Sequence, residues 1–266
     1  MNSLHGKRIA VVGSGTYMQT GGTLNTGTAN PGFGVAVGTQ GSRGSATISG
    51  GTINAPGEIW VGNNNAAGVT PTNNGTLTIS AGAVNSGSWI AVGRNTATGT
   101  INLSGGSITK NGAAGNFIII GSLGGTGTVN QTGGAFNATV GGIRMGENTG
   151  AIPALGGLWD MQNGSSTVTG EVNGGWRSSE ATWNIGGSST VNVTGRLIVA
   201  AETSNAANNS GAVTNGAPVG TVNMTGGTAT FTGGDNRIGG DIAPAVAGTN
   251  SASVKANGSV IVSGAR

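Results

Sequence analysis

The sequence predicts an all-β fold, a parallel β-solenoid (β-helix) of about nine irregular rungs of 24–39 residues. Three observations carry that expectation. One pattern is written three times between Gly75 and Gly146, as GTLTISAGAVNSGSWIAVG, GTINLSGGSITKNGAAGNFIIIG and GTVNQTGGAFNATVGGIRMG. Such self-similarity marks a stacked repeat architecture, so residues 1–266 read as a single quasi-one-dimensional domain. Glycine supplies 56 of 266 residues, roughly three times the usual share. In a helix each would cost about 1 kcal/mol relative to Ala, whereas turns and close backbone approaches use glycine readily. Behind each Gly-Thr, finally, apolar and polar residues alternate, which places successive side chains on opposite faces of a strand.

Taken in order, the chain opens on a decoy. Lys7 to Gly15 reads KRIAVVGSG and resembles the strand and Gly-rich turn of a dinucleotide-binding fold, but Met18 stands at the third Gly position and another turn, Gly21-Gly22, follows instead of a helix. Ile9 to Gly13 is better parsed as the closing half of a repeat, so the chain begins in an incomplete rung. The opening Thr of each repeat is followed through Thr16, Ser45, Thr76, Thr100, Thr128, Leu158, Thr182, Thr221 and Ser253. The shortest intervals are Thr76 to Thr100 and Leu158 to Thr182, 24 residues each, and the longest is Thr182 to Thr221, 39 residues. Inward pairs behind that position are Leu77/Ile79, Ile101/Leu103, Val129/Gln131, Trp159/Met161, Trp183/Ile185 and Val222/Met224, with Thr, Asn and Ser facing outward.

After the turn glycines an Asn recurs at Asn25, Asn54, Asn85, Asn137 and Asn192. In stacked rungs these amides lie about 4.8 Å apart and form a hydrogen-bonded ladder. The closing strand then reads as Val35 to Gly38, Ile59 to Gly62, Ile90 to Gly93 and Ile118 to Gly121, decaying to Ile143 to Gly146, Trp176 to Ser179 and Leu197 to Ala200. Length variation gathers at 63–74, 147–156, 201–220 and 240–252, which predicts one edge that carries the insertions. The last strand, near Val260-Ile261-Val262, again belongs to an incomplete rung.

Gly-Thr, alternating apolar residues, Ser/Thr-Gly-Gly and Ile-x-Val-Gly, repeated, resemble the β-strand repeats of autotransporter passenger regions and related bacterial surface proteins. The resemblance implies an extracellular or cell-surface bacterial β-helix used in adhesion, matrix or surface-layer roles. No membrane-anchoring barrel or sorting tail follows Val262 and no signal precedes Met1 in this numbering, so for an extracellular protein the export signal is expected to have been removed or to lie outside it.

Composition narrows the partners. The net charge of +3 comes from 11 basic and 8 acidic residues spread thinly, without a basic cluster able to neutralise several phosphates, so no nucleic acid is expected. Cysteine is absent, which removes disulfides and thiolate sites. No apolar run approaches the ~18 residues of a span, so no membrane insertion is expected.

Candidate sites follow from the register. The acids fall in different registers; Glu171, Arg177 and Glu180 are close in sequence and read as a solvated ion pair, and His5 precedes the first strand. No catalytic group, metal site or cofactor is therefore expected. Glu58, Trp89 and Phe117 share one outward register with Trp60 diagonally beside Trp89, an aromatic patch for a polysaccharide or a neighbouring subunit unless the 63–74 loop covers it. Trp159 and Trp183 belong to the core. The outward row of Thr76, Thr100, Thr128 and Thr221 forms a hydroxyl array that resembles the ice-binding face of some solenoid antifreeze proteins, although β-propensity alone also selects Thr there. Uncapped ends around Ile9, Val11, Val260 and Val262 favour head-to-tail addition of copies. The leading expectation is a non-enzymatic structural protein, about 40–45 Å long per subunit at the rung spacing, that stacks into a filament or surface scaffold. A glycan-binding adhesin is the alternative, with ice binding or polysaccharide degradation behind it.

Overall fold

Residues 9–11, 15–27, 33–39, 41–64, 74–147, 156–176, 179–201, 219–234, 236–238, 251–256 and 259–262 are described by a computed structural model. The period-two reading governs them. In Thr98–Leu103, Gly99, Ile101 and Leu103 are buried while Thr98, Thr100 and Asn102 face out. The same alternation recurs in Thr126–Gln131, Gly156–Met161, Glu180–Ile185 and Val219–Met224. Among the described residues there are strands and no helices, and the strands pair in parallel as two sheets, one of nine strands and one of fifteen. The arrangement is solenoid-like, as the repeats predict.

Each repeat contributes an opening, a middle and a closing strand. The first repeats merge opening and middle into one long strand, Gly15–Asn25, Arg43–Ala55 and Asn74–Ser86, with a register shift at the turn between Ile48 and Thr52. From Thr98 onward they separate, so that Thr98–Leu103 and Ser107–Lys110 both pair with Asn74–Ser86. The fifteen-stranded sheet therefore holds two rows, and the nine-stranded sheet holds the closing strands. Sequence reasoning placed only a turn and an Asn where the middle strand lies. That strand is four residues long with two inward positions, too short for alternation to announce it.

The nine positions read as the repeated Thr are aligned partner to partner from Thr16 and Ser45 through Leu158 to Thr221 and Ser253. One closing strand differs from expectation. It is Val172–Trp176 rather than 176–179, with Val172 beside Ile143 and Gly174 beside Met145. Gly174 offers no aliphatic side chain at the second inward position, so the Ile-x-Val signature is lost. Gly175 then takes the positive φ (+72°) of the closing glycine, and Trp176 falls beyond the corner, level with Glu147.

One continuous apolar cluster fills the space between the sheets. Trp159 and Trp183 stack within it at 4.7 Å and 7°, flanked edge-on by Phe136 and Phe231. Gln131, buried in the inward register, accepts from Trp159 Nε1 and donates to the carbonyls of Gly134 and Ser165, which removes the cost of burying its amide.

Two glycine positions bring the sheets together. Gly93 has φ +67°, and a Cβ there would run into the Thr126 carbonyl; a Cβ on Gly99 would run into the Val61 carbonyl and the Gly93 amide. Backbone meets backbone at this corner, rung after rung. Ala200 occupies the closing-glycine position with φ +57°, a conformation that costs an L-residue roughly 1–2 kcal/mol. Ala200→Gly should therefore stabilise the protein by about 0.5–1 kcal/mol, because glycine's extra unfolded-state entropy offsets part of the relieved strain. Gly93→Ala should destabilise by more, since clash is added to strain; urea unfolding midpoints of the two variants should move in opposite directions.

Candidate functional site

The outer face of the closing sheet carries the densest chemistry. Its central row runs Ala36, Trp60, Ala91, Ile119, Arg144, Asn173 and Ile198, one residue per strand. Although these residues point away from the core, all but Arg144 are buried, and the Arg144 side chain is only 15% exposed. Just before each closing strand, Ile59 donates to the Trp89 carbonyl, Ile90 to that of Phe117, Ile143 to that of Glu171 and Val172 to that of Arg196. Trp89, Phe117, Glu171 and Arg196 thereby form a second row. Past the closing glycine, Arg94, Ser122, Glu147 and Trp176 are paired in a third.

Arg144 joins the three rows. Its guanidinium carbon lies 3.6 Å from the centroid of Phe117 and 4.1 Å from that of Trp176. Nη1 donates to Glu147 Oε1 at 2.7 Å, and Nη2 lies 3.7 Å from Glu171 Oε1. The other Glu171 oxygen accepts from Arg196 Nε and Nη2 at 3.2 and 3.1 Å. Two carboxylates thus neutralise two guanidiniums, and the aromatic faces compensate desolvation of the buried cation.

Beside this cluster lies a cleft of about 270 Å³. Ala91 and Ile119 of the central row form its floor; Trp89, Leu123, Ser122 and the charged Glu58, Arg94, Arg144 and Glu147 line it. Trp89 is half-buried, its ring 5.6 Å from that of Phe117 and tilted by 45°. Three buried polar atoms of this face, Ser122 Oγ, Arg144 Nε and Asn173 Oδ1, have no hydrogen-bond partner among the described residues.

Of the expected aromatic patch, Trp89 and Phe117 share the predicted outward register with one another. Trp60 does not contribute an exposed ring. It is 5% exposed, packed with Ala36 and Ala91, and its Nε1 donates to Glu58 Oε2 at 2.5 Å. Alanines on both adjacent strands flank the indole. Residues 65–73, expected either to cover the patch or to leave it open, lie outside the described residues, as do 148–155, 202–218 and 239–250 of the other insertions.

The Asn ladder is shorter than expected. Asn54 Nδ2 donates to Asn25 Oδ1 and Asn85 Nδ2 to Asn54 Oδ1, each at 2.9 Å. Thr109 is then paired between Asn85 and Asn137, and Asn137 Oδ1 instead accepts from the Thr167 amide at 2.9 Å. Further amide links, Asn130 to Asn102 and Asn223 to Asn184, lie in the opening row. Thr76, Thr100 and Thr128 are aligned on successive strands before Leu158 interrupts, and Thr221 is aligned with Thr182 beyond it. At the ends, Ile9–Val11 pairs with Val35 to Val37, and Ser259–Val262 pairs with Thr228–Phe231. Glu171 pairs with Arg196 and Arg144; His5 and Arg177 lie outside the described residues. Among the described residues no group of three or more His, Cys, Asp or Glu gathers, and no helix is long and apolar enough to cross a membrane.

Sequence reasoning also passed over Lys110. It is fully buried in the inward register next to Ser86 and Ala138, with Nζ donating to the carbonyls of Ala113, Val140 and Gly112 at 2.6, 2.8 and 3.3 Å. The ammonium pins the 111–116 loop from inside. A lone Lys in an alternating run reads as an outward residue, and only the count back to Ile108 would have shown otherwise.

Fold and face together define a parallel β-solenoid-like repeat protein with a charged aromatic cleft on its outer surface. No family model, curated protein or solved structure matches the chain. The resemblance to autotransporter repeats accordingly rests on the strand pattern.

Burial pushes the Lys110 ammonium below its ordinary value of 10.5. Just below 10.5 the unfolded chain therefore binds more protons than the folded one, and stability should rise with pH through that window. Lys110→Met should flatten this rise in chemical denaturation series, whereas an unchanged slope would assign it to other groups.

Proposed function

We propose that the chain is a non-enzymatic structural protein, a closed β-solenoid of about nine rungs, whose copies add end to end as a filament or surface scaffold outside a bacterial cell. The end of the closing sheet supports this reading. Ile9–Val11 stands at one side of that sheet and Arg237–Ile238 at the other. Ile238 continues a core row through Val199, yet it is 57% exposed because no further closing strand covers it among the described residues.

A second copy offers a strand that fits there. Val11 is paired with Val37, in the same core row that reaches Ile238 through Val61, Val92, Ile120, Met145, Gly174 and Val199. Setting Ile9–Val11 of one copy on Arg237–Ile238 of another carries the row onward. The contact is heterologous and does not close on itself, so it propagates. Open strand edges supply backbone hydrogen bonds, and the covered core residue supplies apolar burial. Ice binding has weaker support, because Leu158 and Asp160 interrupt the hydroxyl rows.

Electron microscopy of the purified chain at micromolar concentration should show unbranched fibres with an axial repeat near the length of one subunit. Ile238→Lys, or Val260→Lys combined with Val262→Lys, should leave a folded monomer by circular dichroism and size-exclusion chromatography. Undiminished polymerisation of these variants counts against the end-to-end contact.

A further inference from the structure

We infer that the cleft beside Trp89 binds a single neutral pyranose ring. The inference goes beyond the scaffold reading and does not depend on it. The cleft measures about 270 Å³, near the lower bound of ~300–1,000 Å³ for small-molecule sites. That size suits one sugar ring better than an extended chain.

Two residues that line the cleft carry buried polar atoms left unpaired among the described residues. Ser122 is 1% exposed, and its Oγ has no hydrogen-bond partner among them. Arg144 Nε is likewise unpaired, while the terminal nitrogens of the same guanidinium are held by Glu147 and Glu171. An orphaned buried group costs about 1–3 kcal/mol, so a partner from outside the chain is the natural way to satisfy it. A ligand carrying several hydroxyls fits, because each hydroxyl can donate to Glu58 and accept from Arg94, and rotation about the Ser122 side-chain bond brings its hydroxyl to the cleft.

Charge balance selects a neutral ligand. Arg94 and Arg144 face Glu58 and Glu147, so the cleft holds two formal charges of each sign. Arg144 is already committed to carboxylates, which leaves little attraction for a phosphate, and two guanidiniums disfavour a metal cation. The apolar requirement of a pyranose, whose C–H face prefers an aromatic surface, is met by Trp89 with Leu123 and Ile119 nearby. Trp89 leans on Phe117, and the Arg144 guanidinium packs against Phe117 in turn. The stacking surface is thus braced before any ligand arrives, which reduces the ordering cost of binding.

The test is saturation-transfer difference NMR on the full chain, with the methyl glycosides of glucose, galactose, mannose and N-acetylglucosamine, and glucuronate as the anionic arm. At least one neutral glycoside should receive saturation on its ring protons with millimolar affinity. Ser122→Ala and Arg94→Gln should each weaken it by about three- to tenfold, and Trp89→Ala should abolish it. Unchanged thermal unfolding of Ser122→Ala and Arg94→Gln keeps the test valid should Trp89→Ala fail to fold. No transfer to any neutral glycoside, preference for glucuronate alone, or transfer unaffected by Ser122→Ala and Arg94→Gln would overturn the inference. Each outcome can be read on assembled or monomeric protein, so it stands apart from the fibre experiment.

Discussion

The contact between glycine backbones at the corner of each repeat is the constraint on which the rest of the structure depends. In most repeats the closing glycine turns with positive φ, and the Gly of the Gly-Thr pair lies directly against it, leaving no room for a Cβ on either side; Ala200 and Ala181 depart from this. With the corner closed this tightly, the closing and opening strands approach closely enough for one apolar cluster to fill the interior. Larger residues then occupy the wider part of the section, where Trp159 and Trp183 stack between two phenylalanines.

Parallel stacking has a second consequence, because it places each residue above its counterpart one rung away. Asn tolerates this arrangement since its amide both donates and accepts, and Asn25, Asn54 and Asn85 link in series. Thr109 and Asp160 cannot continue such a chain in the same way, and the amide links stop where they stand. Charges stacked in register repel, and with only 7% charged residues the chain largely avoids that situation. Where charges do meet, at Arg144, Glu147, Glu171 and Arg196, they alternate in sign and are tied to one another.

That cluster gives the outer face of the closing sheet a character unlike the hydroxyl-bearing opening row. Its central row is buried but for the partly exposed Arg144, the one charged residue in that row among those named, and Phe117 and Trp176 pack on its guanidinium. A rigid ladder beneath the cleft also holds its side chains in place, because the strands that position Trp89, Ser122 and Arg144 are locked to their neighbours by backbone hydrogen bonds.

The opening strands, most closing strands, their inward and outward faces, and the register of the opening row were legible in the sequence, since period two and Gly-Thr are local signals that survive irregular spacing. It also marked the closing glycines, whose positive φ excludes most other residues. Tertiary structure decided what depends on several rungs at once. The middle strand is too short to signal itself, and the closing strand at Val172 had to be found by its neighbours once Gly174 replaced the aliphatic residue. Trp60 is buried together with the alanines that strand pairing sets on either side of it. Phe117, Arg144 and Trp176 are far apart in the chain, and repeats of unequal length hide that they share one face. Their meeting is set by strand pairing between rungs, which no local pattern encodes.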